Sequence, residues 1–181
     1  MAGCGHILFD TAIGRCGLAW GPQGLLGVQL PEADDDATKR RLLKSAGDCP
    51  TLSDVPSLVP QAVQGIQALL RGEPRNLLEL PLDMSLLTDF QSRVYAFARA
   101  IPPGSTRTYG EVARGLGDVK LARAVGQAMG HNPFAPVVPC HRVLAAGNRP
   151  GGFSATGGAA TKLRMLAIEG AMRSETLPLF R

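Results

Sequence analysis

Apolar residues recur along the chain in two different periods, and the switch between them separates candidate strands from candidate helices. In the first thirty residues, short apolar stretches at Ile7-Leu8-Phe9, Leu18-Ala19-Trp20 and Leu25 to Leu30 are broken by Gly14 and by Gly21-Pro22-Gln23-Gly24. That pattern predicts a β-meander of three short antiparallel strands. Asp34-Asp35-Asp36 then precedes Lys39-Arg40-Arg41 and Lys44, acids first and bases last, as the dipole of a solvated helix favours. Residues 46–57, rich in Ser, Asp, Pro and Gly, read as a loop. Val59, Val63, Ile66 and Leu70 are spaced four, three and four, with Pro60 in the first turn, which predicts a second helix. Leu77 to Leu82 reads as a further strand before a boundary near Asp83–Asp89.

Past that boundary the period is helical. Phe90, Val94, Phe97 and Ile101 form a stripe that ends at Pro102-Pro103-Gly104. Two short helices are expected at Tyr109–Leu116, stopped by Gly117, and at Leu121–Met129, stopped by Gly130. Joined by a tight glycine-containing turn, they have the pattern of a helix-turn-helix. Asn132 to Pro139 holds three prolines and predicts an extended approach to Cys140. Residues 147–158, with five glycines, read as an irregular loop before a last helix over Thr161–Glu169. The fold class expected is α+β: a small N-terminal antiparallel-sheet domain over residues 1–84, then a mostly helical C-terminal domain over residues 85–181.

Composition adds limits. A chain of 181 residues with 45% hydrophobic and 19% charged residues suits an ordinary globular protein with a buried core. No run approaches the roughly 18 consecutive apolar residues of a membrane span, and the first residues lack the basic n-region of a signal peptide. A cytoplasmic location and no membrane partner are expected. Cys4, Cys16, Cys49 and Cys140 are too scattered for a disulfide scaffold and read as free thiols. Charge is more informative: residues 1–89 carry 7 Lys+Arg against 11 Asp+Glu, a net −4, and residues 90–181 carry 12 against 4, a net +8. The basic half points to a polyanion, nucleic acid above all, with solubilising surface charge as the alternative.

The densest chemistry is Pro139-Cys140-His141-Arg142-Val143, where a thiol, an imidazole and a guanidinium are consecutive. Nearby cations or a base raise the thiolate fraction that makes cysteine nucleophilic; the alternative is a small buried hydrophobe. Successive side chains of an extended chain face opposite ways, so a bend or a bridging water is needed to join Cys140 to His141. A helical start at Pro139-Cys140 would also turn backbone N–H groups toward the thiolate. Of the carboxylates in the second half, Glu111, Asp118, Glu169 and Glu175, the best candidate to orient the base is Glu169, set among Leu163, Leu166 and Ile168; an exposed helix-end residue is the other reading. Arg123, flanked by small residues on the second short helix, suits a nucleic-acid surface or ordinary helix packing. Cys4 with His6, and Cys16 with His131, lack a recognised metal spacing, and the glycine loop lacks the ending of a phosphate loop. Neither a metal nor a cofactor is expected.

Asn132-Pro133-Phe134-Ala135-Pro136-Val137-Val138-Pro139-Cys140-His141-Arg142-Val143 resembles the active-site signature of O6-alkylguanine-DNA alkyltransferases, also called methylated-DNA–protein-cysteine methyltransferases. Phe90-Gln91-x-x-Val94, Ile101-Pro102-x-Gly104, Thr108-Tyr109-Gly110-Glu111-Val112-Ala113, Ala122-Arg123-Ala124-Val125-Gly126 and Glu169-Gly170 fall where that family has them. Asp10-Thr11-x-x-Gly14 and Gly24-Leu25 resemble its N-terminal strands, so the likeness spans nearly the whole chain.

The resemblance implies a ribonuclease H-like N-terminal domain and a single-use repair protein, monomeric and nucleoid-associated if bacterial, acting on double-stranded DNA with alkylated bases. Cys140 would take the alkyl group from guanine oxygen, and possible substrates extend to O4-alkylthymine. His141 and Glu169 would activate it through a water, and Asn132 would order the active-site turn. Arg123 would fill the space left by the flipped nucleotide, Tyr109 would crowd the 3′ phosphate, and Thr108, Ala122 and Arg142 would lie at the DNA surface. Met129, Val143, Phe153 and Ser154 would form the substrate pocket, with backbone groups near Cys140 and Val143 reading the guanine edge. Phe153 stands where the family commonly has a tyrosine, which removes a hydroxyl donor, and the loop containing Ser154 is longer than its commonest form. Gly21 and Leu26 occupy positions that are zinc ligands in some relatives. Three alternatives remain: a module that binds alkylated DNA without transfer, a helix-turn-helix regulator, and a cysteine hydrolase that turns over.

Overall fold

The computed structural model describes residues 3–52, 54–152 and 155–171. Three strands, β1 (Gly5–Thr11), β2 (Gly14–Gly21) and β3 (Gly24–Gln29), form the expected antiparallel meander in the order β1-β2-β3. Register runs from Gly5 opposite Trp20 to Thr11 opposite Gly14, and an irregularity between Ala19 and Trp20 shifts the β2–β3 pairing. Alternation along β2 sorts the two faces. Cys16, Leu18 and Trp20 enter a core with Val59, Ile66, Leu69 and Leu70 of α2 (Leu58–Leu70). Gly17 and, on β3, Gly27 lie under Leu42 of α1 (Asp35–Ala46). Both faces are therefore covered, and β2 is buried over its last six residues. Gly5 is required here: a Cβ at that position would stand 2.5 Å from Cζ2 of the buried Trp20 ring.

The acidic run begins α1 as charge order suggested, with Asp34 Oδ1 accepting from Ala37 N at 2.7 Å. Leu77–Leu82 is not a strand. Pro81 has no N–H to give to a ladder, and the segment folds into a turn whose carbonyls at Leu77 and Leu80 accept from Arg99 Nη2 at 2.7 and 2.9 Å. Only Leu82 bridges the sheet, at Leu25.

A second core gathers around α3 (Asp89–Arg99), α4 (Tyr109–Gly115) and α5 (Ala122–Gly130). Thr88 and Gln91 form a capping box at the start of α3. The expected stripe faces this core, with Val94 and Ile101 buried in it and Phe90 and Phe97 packed against it, and Ala98 and Tyr95 are buried beside them, Tyr95 Oη donating to Ala128 O of α5 at 2.8 Å. A two-residue parallel pairing joins β4 (Arg107–Thr108) to β5 (Val143–Leu144), and α6 (Ala159–Ile168) closes the described chain. The Asn132–Pro139 segment folds back instead of extending: Val138 N donates to Phe134 O at 3.0 Å, and Pro133 O accepts from Val28 N of β3 at 2.8 Å. Proline removes donors and fixes φ without dictating a straight path. Among the described residues no helix is long and apolar enough to cross a membrane.

Candidate active site and nucleic-acid interface

Cys140 is the first residue of a single 3-10 turn, Cys140–Arg142, entered from Pro139. That bend removes the objection of an extended chain, and the N–H groups of Cys140 and His141 favour the thiolate. Burial nevertheless pushes the Cys140 thiol up overall; hydrogen bonding from Asn132 and the charge of Lys162 act in the opposite direction. At rest the sulfur holds its proton. Asn132 also fixes the turn behind it, accepting from Phe134 N at 2.9 Å and donating from Nδ2 to Val138 O at 2.8 Å.

His141 is fully buried and its Nε2 donates to Glu169 Oε1 at 2.7 Å. An ionised carboxylate only accepts, so Nε2 carries the hydrogen and Nδ1 keeps its lone pair. Nδ1 is buried and has no hydrogen-bond partner among the described residues. Burial holds the His141 pKa below its ordinary value, although Glu169 pulls it upward. Glu169 lies just after α6 with its side chain 3% exposed. Burial would raise its pKa, but hydrogen bonds and charges from His141 and Arg142 outweigh it and bring the carboxyl to about 2. The other carboxylates are engaged elsewhere: Glu111 completes a capping box with Thr108, and Asp118 accepts from Lys120 N at 2.9 Å. Glu175 is outside the described residues.

Arg142 corrects the sequence reading. It is 1% exposed, its Nε and Nη2 bind Glu169 at 2.9 and 2.7 Å, and its Nη1 donates to Ile101 O at 2.7 Å. A guanidinium so enclosed does not reach a phosphate; it holds the carboxylate that holds the imidazole. Met129 and Val143 are likewise buried in the second core beside Cys140, and the Val143 carbonyl accepts from Lys162 Nζ at 2.6 Å. Neither lines the cavity of about 310 Å³ that reaches Cys140, which is bordered by Asn132, Pro133 and Ala135 on one side and by Leu30, Arg41 and Lys44 on the other. Phe153 and Ser154 lie outside the described residues.

Lys162 was not singled out from sequence. It is buried on α6, lies 5.8 Å from the centroid of the Tyr109 ring, and has its pKa lowered by burial to about 8 despite the opposing pull of Cys140. The signal available was its position four residues before the buried Leu166, on the apolar side of the helix. Tyr109 begins α4 and Thr108 caps it, its Oγ1 accepting from Glu111 N at 3.1 Å. Arg123, second in α5, is exposed, with Ala122 half-buried beside it. Arg107 on β4, Arg114 on α4 and Lys120 in the turn before α5 are also exposed, so α4, α5 and the segments flanking them present cations to solvent.

Fold and site together define an α+β protein in which one buried cysteine, Cys140, is followed in the chain by a buried imidazole hydrogen-bonded to a carboxylate. The description "6-O-methylguanine DNA methyltransferase, DNA binding domain" matches residues 89–171. The methylated-DNA–protein-cysteine methyltransferase of Mycolicibacterium paratuberculosis is 42% identical over 120 residues, 66% of this chain and 70% of that protein. Its counterpart in Methanothermobacter thermautotrophicus is 33% identical over 170 residues, 91% and 82% of the two chains. The crystal structure of Mycobacterium tuberculosis OGT in complex with DNA superposes with a TM-score of 0.71 at 33% identity, covering 92% of each chain. This chain belongs to the methylated-DNA–protein-cysteine methyltransferase family.

Proposed function

We propose that the protein repairs alkylated DNA by moving the alkyl group of O6-alkylguanine onto Cys140 Sγ, once per molecule. The observation that carries this reading is the buried Nδ1 of His141, without a hydrogen-bond partner among the described residues, with Nε2 tied to an ionised Glu169. A lowered pKa keeps His141 neutral at rest and able to accept a proton; through a water, Nδ1 takes the proton of the Cys140 thiol. Glu169, ionised at neutral pH, stabilises the imidazolium that results. The thiolate attacks the alkyl carbon, the carbon–oxygen bond breaks with its electrons passing to guanine oxygen, and a proton returns to the base. A thioether is left on Cys140, so no second turnover follows.

A carbon buried in a base stack is out of reach, so the nucleotide must first rotate out, at a cost of a few kcal/mol. The α4–turn–α5 unit is read as a helix-turn-helix that holds the DNA, with Thr108, Tyr109, Ala122 and Arg123 on its surface and Arg123 filling the vacated space. The exposure of Arg123 and its neighbouring cations supports this. The same reading makes the N-terminal sheet ribonuclease H-like, divides the chain at 84/85, places Phe153 and Ser154 over the flipped base, and has a cytoplasmic monomer act on duplex DNA without a cofactor. Peptide mapping after incubation with an O6-methylguanine duplex tests it: Cys140 gains one CH2, and Cys140→Ala binds DNA without transfer. A methyl group on another residue, or binding without transfer by the wild type, overturns it.

A further inference from the structure

Cys4 and Cys49 lie away from the repair site, on either side of the seam where the start of β1 meets the loop between α1 and α2. The seam is a short parallel pairing: His6 bridges Thr51, His6 N donates to Pro50 O at 3.0 Å, and Thr51 Oγ1 lies 3.2 Å from His6 Nε2. Side chains two residues apart in an extended chain share a face. Cys4 stands two residues before His6 and Cys49 two residues before Thr51, so the bridge brings the two cysteine-bearing segments side by side. The Cys4 thiol donates to Asp48 O at 3.9 Å, directly beside Cys49, whose own thiol donates to Ala46 O at 3.9 Å and is held up by the neighbouring Cys4. At their bridge the two segments run roughly 4.8 Å apart, and a disulfide accepts Cα separations of about 4.4–6.8 Å. Cys4 is half-buried and Cys49 buried, so one thiol meets solvent and the other waits behind it.

We infer that Cys4 and Cys49 are a reversible redox pair, oxidised by low-molecular-weight disulfides such as glutathione disulfide to an intramolecular bond that staples β1 to the α1–α2 loop. The Cys4 thiolate attacks one sulfur of glutathione disulfide, its S–S bond breaks, and one glutathione leaves and takes up a proton. The Cys49 thiolate then attacks the Cys4 sulfur of the mixed disulfide and expels the second glutathione. Two protein thiols lose two electrons and two protons, and one glutathione disulfide becomes two glutathione thiols. Burial, then the hydrogen bond and charge of Cys4, hold the Cys49 thiol up at about 12.

The test equilibrates the full chain in glutathione buffers of graded ratio, quenches in acid and maps the peptides without reduction. The expected product is a Cys4–Cys49 cross-linked peptide, two hydrogens lighter than its reduced parts and reversed by dithiothreitol. The oxidised protein should melt several degrees higher, because the unfolded chain is constrained, and should still transfer alkyl groups at Cys140. Cys49→Ser should stop at a glutathione adduct on Cys4, and Cys4→Ser should leave Cys49 unmodified. A wild-type end product with glutathione on Cys4 and Cys49 free, a cross-link to Cys16 or Cys140, or no reaction overturns the inference.

Discussion

Glu169→Gln keeps the shape of the side chain and removes its charge. Three hydrogen bonds converge on this carboxylate, from His141 Nε2 at 2.7 Å and from Arg142 Nε and Nη2 at 2.9 and 2.7 Å. Breaking a buried pair by removing one partner costs about 3–5 kcal/mol; the amide oxygen still accepts one bond, which places the loss near the lower end. The depressed carboxyl gives a second figure. The Glu169 carboxyl falls from an ordinary 4.5 to about 2 in the folded protein, and at about 1.4 kcal/mol per pH unit this is roughly 3 kcal/mol. A depressed carboxyl contributes stability that is complete above about 4.5 and is lost as the pH falls toward about 2. At neutral pH, Glu169→Gln should therefore melt about 6–12 °C below wild type, and the gap should narrow steadily between pH 4.5 and 2. Without the carboxylate the imidazolium is unsupported, and single-turnover transfer should slow about 10²–10⁴-fold, measured with protein in excess and well below the variant's melting temperature. A folded variant transferring at the wild-type rate refutes the relay, and a stability gap independent of pH refutes the charge argument.

The rate should have an acid limb set by His141: burial lowers its pKa beneath the ordinary 6.5, so the midpoint of that limb should lie below pH 6.5, and an acid limb centred above 6.5 counts against Nδ1 as the base. Arg123→Ala removes an exposed cation and should leave stability within about 0.5 kcal/mol while reducing the slope of log affinity against log salt by about 1; titrations at several salt concentrations decide this. Gly5→Ala drives a methyl group into the Trp20 ring and should cost about 1–3 kcal/mol, read by thermal unfolding, with transfer intact at temperatures where the variant is folded.

The parts of this protein legible in its residue order are those set by neighbours a few positions apart. Short apolar stretches between glycines located the three strands, Asp34 and the charges behind it located α1, and Cys140-His141-Arg142 was visible as a contiguous run of thiol, imidazole and guanidinium. Leu77–Leu82 misled because its apolar content resembled a strand, whereas Arg99, some twenty residues away, claims its carbonyls. Arg142, placed at the DNA surface by the family resemblance, has its donors spent on Glu169 and Ile101 O, which only folding shows.

Glu169 could be nominated from its apolar surroundings, but its 27-residue separation from Arg142 and 28 from His141 meant that no local rule could assign its partners. The same holds for Lys162 against Val143 and for Cys4 beside Cys49. Residue order by itself determined which stretches become strands and helices and where a nucleophile stands, because propensity, capping and side-chain alternation act within a turn or two. Tertiary structure alone decided which charges are buried together, because desolvation and pairing depend on segments distant in the chain arriving at one place.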